Sequence, residues 1–267
     1  MKIAIVGCGN MGMAFAKSFL QYNLVQPDDL LLIEKSSERS ETLKREKAGV
    51  VVETIGPRVG EADLLILSVK PQDFGSVYES LRAVVQPGQV VLSIMAGIPI
   101  AQIQEKLNHP LVVRAMPNTP AMLGMGITGF TAAKEVDLAN LRRVENLINA
   151  TGRSVFLEDE TMLDAVTALS GSGPAYFYFV VKAMIEAGKE MGFSEAVSGL
   201  LVKQTMLGAY HLINTADKSL DELIKAVASK GGTTEAALRE FEQGHLAETL
   251  VSGIKAARDR STELSKG

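Results

Sequence analysis

The chain of 267 residues has no tryptophan, a single cysteine and three histidines. Aromatic residues make up 5% of it, too few to build the stacking platforms that hold single-stranded bases. Its net charge is −4, and Lys and Arg nowhere gather into a block, which argues against a nucleic-acid surface. A lone Cys8 excludes an intrachain disulfide and any cysteine-type metal cluster, so no metal is expected. No apolar run approaches the length of a membrane span. Glycines interrupt the first apolar run, so a secretory leader is not expected and the cytoplasm is the expected location. What is present is ordinary for a folded protein with a large core: 46% hydrophobic and 22% charged residues, enough chain for one large domain or two smaller ones.

The opening MKIAIVGCGNMGMAFA carries the strongest signal. Ile3 to Val6 reads as a buried strand, and a helical pattern begins after the glycines. Gly7, Gly9 and Gly12 between them form G-x-G-x-x-G. The first glycine makes the tight turn, the second lets backbone approach a pyrophosphate, and the third lets helix pack on strand. The stretch Gly7, Cys8, Gly9, Asn10, Met11, Gly12 is therefore the candidate pyrophosphate cradle, with Cys8 as a small filler and not a nucleophile. The free N–H groups and partial positive charge of the following helix add to it.

Strand-like runs recur at Ile3–Val6, Leu30–Ile33, Val50–Val52, Leu64–Val69, Val90–Ile94 and Val112–Ala115, with Ile127–Thr131 and Ser154–Leu157 extending the set. Helix-favouring stretches lie between them at Ser37–Lys47, Phe74–Val85, Ile100–Leu107 and Leu138–Ala150. Continuous Val/Ile/Leu strands alternating with helices predict a mostly parallel sheet covered on both faces. Beyond Glu158 the strands stop and helical spacing takes over: Thr161–Leu169, Pro174–Met191, Glu195–Asn214, Leu220–Ser229, Thr234–Glu242 and Ala247–Leu264. The expected fold is α/β: a Rossmann-type dinucleotide-binding domain over residues 1–158, followed by an all-helical dimerisation and substrate domain over 159–267. The dimer is expected because Pro174–Met191 is apolar around most of its circumference. Such a helix needs cover on several sides, more than one small domain supplies.

A Rossmann unit places an acid at the end of its second strand to bind the ribose of NAD. Glu34 stands there, followed at once by Lys35, Ser36, Ser37 and Arg39, which suit the 2′-phosphate of NADP. The two readings conflict. The lean is to NADP, with Glu34 turned to solvent. Ser68, Val69, Lys70 and Pro71 end the fourth strand, where such sheets meet their cofactor. Asn118 and Thr119 end the sixth and are placed to fix a nicotinamide or a substrate; turn chemistry alone also accounts for them.

Three further motifs carry a resemblance. Leu169-Ser-Gly-Ser-Gly-Pro-Ala-Tyr176 opens the long helix, Arg114-Ala-Met-Pro-Asn-Thr-Pro120 closes the sixth strand, and Val227-Ala-Ser-Lys-Gly-Gly-Thr-Thr234 lies near the C-terminus with Ala237, Leu238, Phe241 and Glu242. In this order, across essentially the whole chain, they resemble the pyrroline-5-carboxylate reductases, which catalyse the last step of proline synthesis. The resemblance implies hydride transfer from NAD(P)H to the C=N carbon of L-1-pyrroline-5-carboxylate. It also implies a homodimer with interlocked helical domains, often assembled to a decamer, and active sites built from two subunits. By the same resemblance Ser229, Gly231, Gly232, Thr233 and Thr234 lie at the substrate, with the Thr234 hydroxyl near the imine nitrogen. Glu160 matches another substrate position, and Val69, Lys70 and Ala96 match cofactor contacts.

The residues agree with that chemistry. A glycine-rich loop entering a helix offers N–H groups to a carboxylate. Thr234 is a poor proton donor near neutral pH, so it is read as orienting an iminium or relaying a proton from water. The sequence departs from the family at Lys230, where proline is usual; lysine loosens the loop and adds positive charge, and a plain solvated lysine is an equal reading. None of His109, His211 and His245 falls in a matched motif. Three rivals remain: another cyclic-imine reductase, a β-hydroxyacid dehydrogenase and a non-catalytic NAD(P)-binding sensor. The second carries a catalytic lysine where Phe177 stands here, and the third would show a degraded Gly231–Thr234 loop, which is intact.

Overall fold

The structure, a computed structural model, describes residues 1–265. Eight strands form one sheet: β1 (Ile3–Val6), β2 (Leu30–Ile33), β3 (Val50–Val52), β4 (Leu64–Leu67), β5 (Val90–Ser93), β6 (Val112–Met116), β7 (Gly126–Ala132) and β8 (Gly152–Phe156), in the spatial order β3-β2-β1-β4-β5-β6-β7-β8. Every pairing is parallel except β6 with β7. Side chains alternate between the two faces of a strand, and both faces are buried. Ile3, Ile5, Leu64, Ile66, Val90 and Leu92 meet Phe15 and Phe19 of α1 (Asn10–Gln21) and Val144, Leu147 and Ile148 of α5 (Leu138–Asn149). Ala4, Val6, Leu65, Leu67 and Val91 meet Phe74 and Leu81 of α3 (Phe74–Arg82) and Ile100, Ile103 and Leu107 of α4 (Ile100–Leu107). Each large side chain so buried contributes roughly 1.5–3 kcal/mol of transfer free energy.

The chain leaves β1 in one direction toward β2 and β3, and returns to β4 on β1's other side. The crevice outside the carboxyl ends of β1 and β4 is thus the switch point at which such sheets take ligands. Among the elements whose bounds differ from their sequence expectation, two have a clear cause. β4 stops at Leu67, short of Val69, because Ser68 N–H donates to Val6 O, the last residue of β1, after which Gly7 turns away. The expected single helix Thr161–Leu169 is a short α6 (Met162–Val166) running into a π turn, Thr167–Gly171. There the Ser172 N–H reaches back to Thr167 O at 2.8 Å, and the Thr167 and Ser170 hydroxyls bond to Leu163 O and Val166 O. Hydroxyls bonded back to the preceding turn open a helix in this way.

The polypeptide divides into two compact units, residues 1–172 with 257–267, and 173–256. The end of the strands near Glu158 therefore does not coincide with the break in packing. The buried Asp164 explains why. Its carboxylate accepts hydrogen bonds from Ser261 (2.8 Å), Thr262 (2.9 Å) and Ser265 (3.3 Å), tying the last turns of α11 (Leu246–Ser265) to the first unit.

The second unit contains α7 (Gly173–Glu190), α8 (Glu195–Thr215), α9 (Leu220–Val227), α10 (Thr233–Gln243) and the start of α11. Ser194 caps α8, and Ser219 with Glu222 forms a capping box on α9. α7 and α8 touch at Gly188 and Ser198, where a Cβ on Gly188 would lie 2.6 Å from the Ser198 hydroxyl. Only Gly173, Gly188, Ser198 and Gly199 are buried in this unit. Phe177, Phe179, Leu200 and Tyr210 are each at least 60% exposed. The unit has helices but no core of its own. Among the described residues no helix is long and apolar enough to cross a membrane.

Candidate active site

The glycine loop sits at the carboxyl end of β1, and its three glycines meet three different constraints. Gly7 has φ +93°, and a Cβ there would lie 2.6 Å from Ser68 O. A Cβ on Gly12 would overlap Gly7 O at 2.2 Å. A Cβ on Gly9, by contrast, would meet nothing within 4 Å. Gly7 and Gly12 are thus demanded by the fold itself, while Gly9 keeps an exposed space open beside the start of α1. No side chain caps α1, and its first turn holds no acid, so its N–H groups and dipole remain available to an anion. These residues fit the pyrophosphate of a dinucleotide.

Glu34 does not turn to solvent as expected. Its carboxylate accepts from the N–H groups of Cys8 (3.3 Å) and Ser36 (2.9 Å), and its side chain is 11% exposed. Two backbone donors and the Arg39 guanidinium at 3.9 Å draw it inward. Arg39 Nε donates to Cys8 O at 2.6 Å, so Cys8 is held at both its backbone N–H and its carbonyl. Arg39 and Ser36 border a cleft of about 610 Å³ between α1 and α2 (Ser37–Glu46), with Asn10, Ala14 and Thr42 on its walls. Ser36 also caps α2 through Arg39 N–H. Lys35 leans toward Asp73 at 3.5 Å, with both side chains exposed. Cys8 is fully buried, and burial, reinforced by Glu34, pushes its thiol up to about 12. It stays protonated, as a filler should.

Ser68 and Val69 lie beside Gly7 at the end of β4, Lys70 is exposed, and Pro71 opens a 3-10 turn (Pro71–Asp73) into α3. Ala96 follows β5 beside Gly97, whose φ is +73°. The crevice thus gathers Gly7 to Gly12, Glu34 to Ser36 and Ser68 to Val69. Asn118 is different. Its amide donates to Ser170 O (3.2 Å) and accepts from Ile127 N–H (3.0 Å), so both ends serve the loop and the turn-chemistry reading accounts for it. Glu160 Oε1 accepts from the N–H of Ile100 at the start of α4 and from Arg114 Nη1, each at 2.8 Å. Arg114 is 5% exposed. Sequence reasoning quoted it only as part of a motif, and an arginine inside a strand otherwise made of buried apolar residues was the signal.

In the second unit, Ser229 to Gly232 forms a turn closed by Gly232 N–H to Ser229 O at 2.9 Å. Lys230 takes its second position and Gly231, φ +74°, its third. Proline is common at the second position of such a turn and glycine is required at the third. Gly232 then begins α10 with no side-chain cap, and Thr233 and Thr234 form its first turn.

Comparison with known proteins decides the family. A profile described as pyrroline-5-carboxylate reductase dimerisation matches residues 160–264, and one described as NADP oxidoreductase, coenzyme F420-dependent, matches residues 2–97. The chain is 37% identical to a pyrroline-5-carboxylate reductase of Pseudomonas aeruginosa, over 99% of this chain and 97% of that one. The chain belongs to the pyrroline-5-carboxylate reductase family. Among solved structures, a Coxiella burnetii pyrroline-5-carboxylate reductase is 30% identical with a TM-score of 0.89, covering 100% of this chain and 99% of that one. A Plasmodium falciparum pyrroline carboxylate reductase with NADP bound has the same TM-score of 0.89 at 26% identity, covering 99% and 98%.

Proposed function

We propose that this reductase converts L-1-pyrroline-5-carboxylate to L-proline, with NADPH as its preferred cofactor. The observation that carries the reading is the full-length match to the family together with two intact halves of chemistry: an open cradle at Gly9 and an intact Ser229–Thr234 loop. NADPH, when bound, supplies a hydride. Gly7 to Gly12 and the N-terminus of α1 would hold its pyrophosphate. Arg39, with Ser36 at the mouth of the α1–α2 cleft, would take the 2′-phosphate. Ser68, Val69, Lys70, Pro71 and Ala96 would flank the nicotinamide side.

The N–H groups of the Ser229–Thr234 loop hold the substrate's carboxylate. The Thr234 hydroxyl orients the ring nitrogen. Reduction adds hydride to the imine carbon. The nitrogen carries a proton into the iminium before transfer and keeps it in the product. A homodimer is the minimal unit, because Phe177, Phe179, Leu200 and Tyr210 of the coreless helical unit require apolar cover from a second chain. Purified protein mixed with NADPH and pyrroline-5-carboxylate should lose the absorbance of reduced nicotinamide and form proline. NADPH binding without proline formation at any pH would overturn the assignment.

A further inference from the structure

The substrate loop already holds a carboxylate of its own. Glu235 Oε2 accepts the Gly231 N–H at 2.6 Å. Glu235 is the third residue of α10, and it reaches back past the helix start to the turn that precedes it. Glycine at the cap position supplies no side-chain acceptor to the helix start. A charged acceptor on a backbone N–H makes a short, strong bond, and the N-terminus of an 11-residue helix favours negative charge further.

We infer that Glu235 is a built-in competitor for the substrate's carboxylate, setting how tightly this loop takes an anion. The inference rests on the functional reading above, which puts that carboxylate on the Ser229–Thr234 loop. One N–H does not serve two carboxylates. The incoming anion therefore either displaces Glu235 from Gly231 or binds beside it against like-charge repulsion. Both lower its apparent affinity. In return, Glu235 keeps the turn in its binding shape while no substrate is present. Lys230, exposed on the same turn, supplies the opposite charge and offsets the added negative one.

The test is Glu235→Gln. The glutamine carbonyl still accepts the Gly231 N–H, so the turn and the helix start survive while the charge goes. KM for pyrroline-5-carboxylate should fall by about 3- to 10-fold, and inhibition by L-proline should strengthen by a similar factor. The rate constant kcat/KM for 1-pyrroline, the same ring without its carboxylate, should not change. Lys230→Gln should move KM for the carboxylate substrate upward. A purely structural cap predicts no KM change in Glu235→Gln, and a contact between Glu235 and the cationic iminium predicts a rise. Either result, or an equal change with 1-pyrroline, overturns the inference. A wild-type protein inactive on pyrroline-5-carboxylate would instead remove the functional reading, and this inference with it.

Discussion

Arg114 Nη1 lies 2.8 Å from Glu160 Oε1, joining the sixth strand to the segment that enters α6. The same oxygen holds the first N–H of α4. Arg114 is buried and Glu160 is about one-third exposed, so removing the arginine leaves a carboxylate stranded with one partner. Arg114→Met should cost about 2–4 kcal/mol of stability, somewhat below a fully buried broken pair. Glu160→Gln in the same background should recover at least about 1 kcal/mol. Denaturant unfolding at one fixed protomer concentration checks this, and additive effects would refute the coupling.

Gly9 and Gly12 separate binding from folding. Gly12→Ala drives a Cβ into the Gly7 carbonyl and should yield unfolded or strongly destabilised protein. Gly9→Ala has room and should melt within about 2 °C of wild type, a shift of a few tenths of a kcal/mol. Yet it should bind NADPH at least about 10-fold more weakly, because the methyl enters the cradle. Thermal melts with and without NADPH distinguish the two.

Glu34 shapes the loop through Cys8 and Ser36. Glu34→Ala should therefore weaken NADPH and NADH binding by similar factors, on the order of 5- to 30-fold, the range for losing charge-assisted bonds. Fluorescence titrations with each cofactor decide it. A loss confined to NADH would make Glu34 a ribose ligand.

The buried Cys8 thiol gives a pH prediction. Its folded value is raised to about 12, while an unfolded thiol titrates near about 8.5. Above that unfolded value the unfolded chain loses a proton that the folded chain keeps, so stability falls as pH rises. It is fully present below about pH 8.5, and Cys8→Ala should flatten the decline above it. Thiol reagents at neutral pH should label Cys8 only on unfolding.

In the proposed function Thr234 orients the imine without being the ultimate proton source, and this can be tested. Thr234→Ala should lose about 10- to 100-fold in kcat, one hydrogen bond of about 1–3 kcal/mol in the transition state. Thr234→Ser should keep most activity. Steady-state rates across pH test this, and a displaced pH profile in Thr234→Ala would put the hydroxyl on the proton path.

Much of this was legible locally. The bounds of β1, β2, β3 and α4 match the expected strand-like runs and helix-favouring stretch residue for residue, because strands and helices write their period into adjacent positions. The glycine loop was legible because Gly7 and Gly12 answer steric demands of the fold, while Gly9 keeps the space beside α1 open. The partners of Glu34, Arg114 and Asp164 were not. Arg114 and Glu160 are 46 residues apart, and Asp164 and Ser261 are 97 apart. No local period records which charge faces which. The expected break at 158 follows the loss of strands, and the matched dimerisation profile begins at 160, while the break in packing falls after residue 172, set in part by hydrogen bonds that periodicity does not see. The inward turn of Glu34 was missed because its attractors are backbone N–H groups, present at nearly every residue and therefore silent in a sequence.

The hydroxyls of Ser261, Thr262 and Ser265 on Asp164 also bear on the order of events during synthesis. Ser261 emerges from the ribosome 97 residues after its partner. The sheet and its glycine loop can assemble early, as N-terminal units do. Asp164, however, stays without its three donors until the entire helical unit has been translated. Closing so long a loop is slow. A nascent or truncated chain ending before Ser261 should carry a frayed patch beside α6, and chaperones and proteases would find it first.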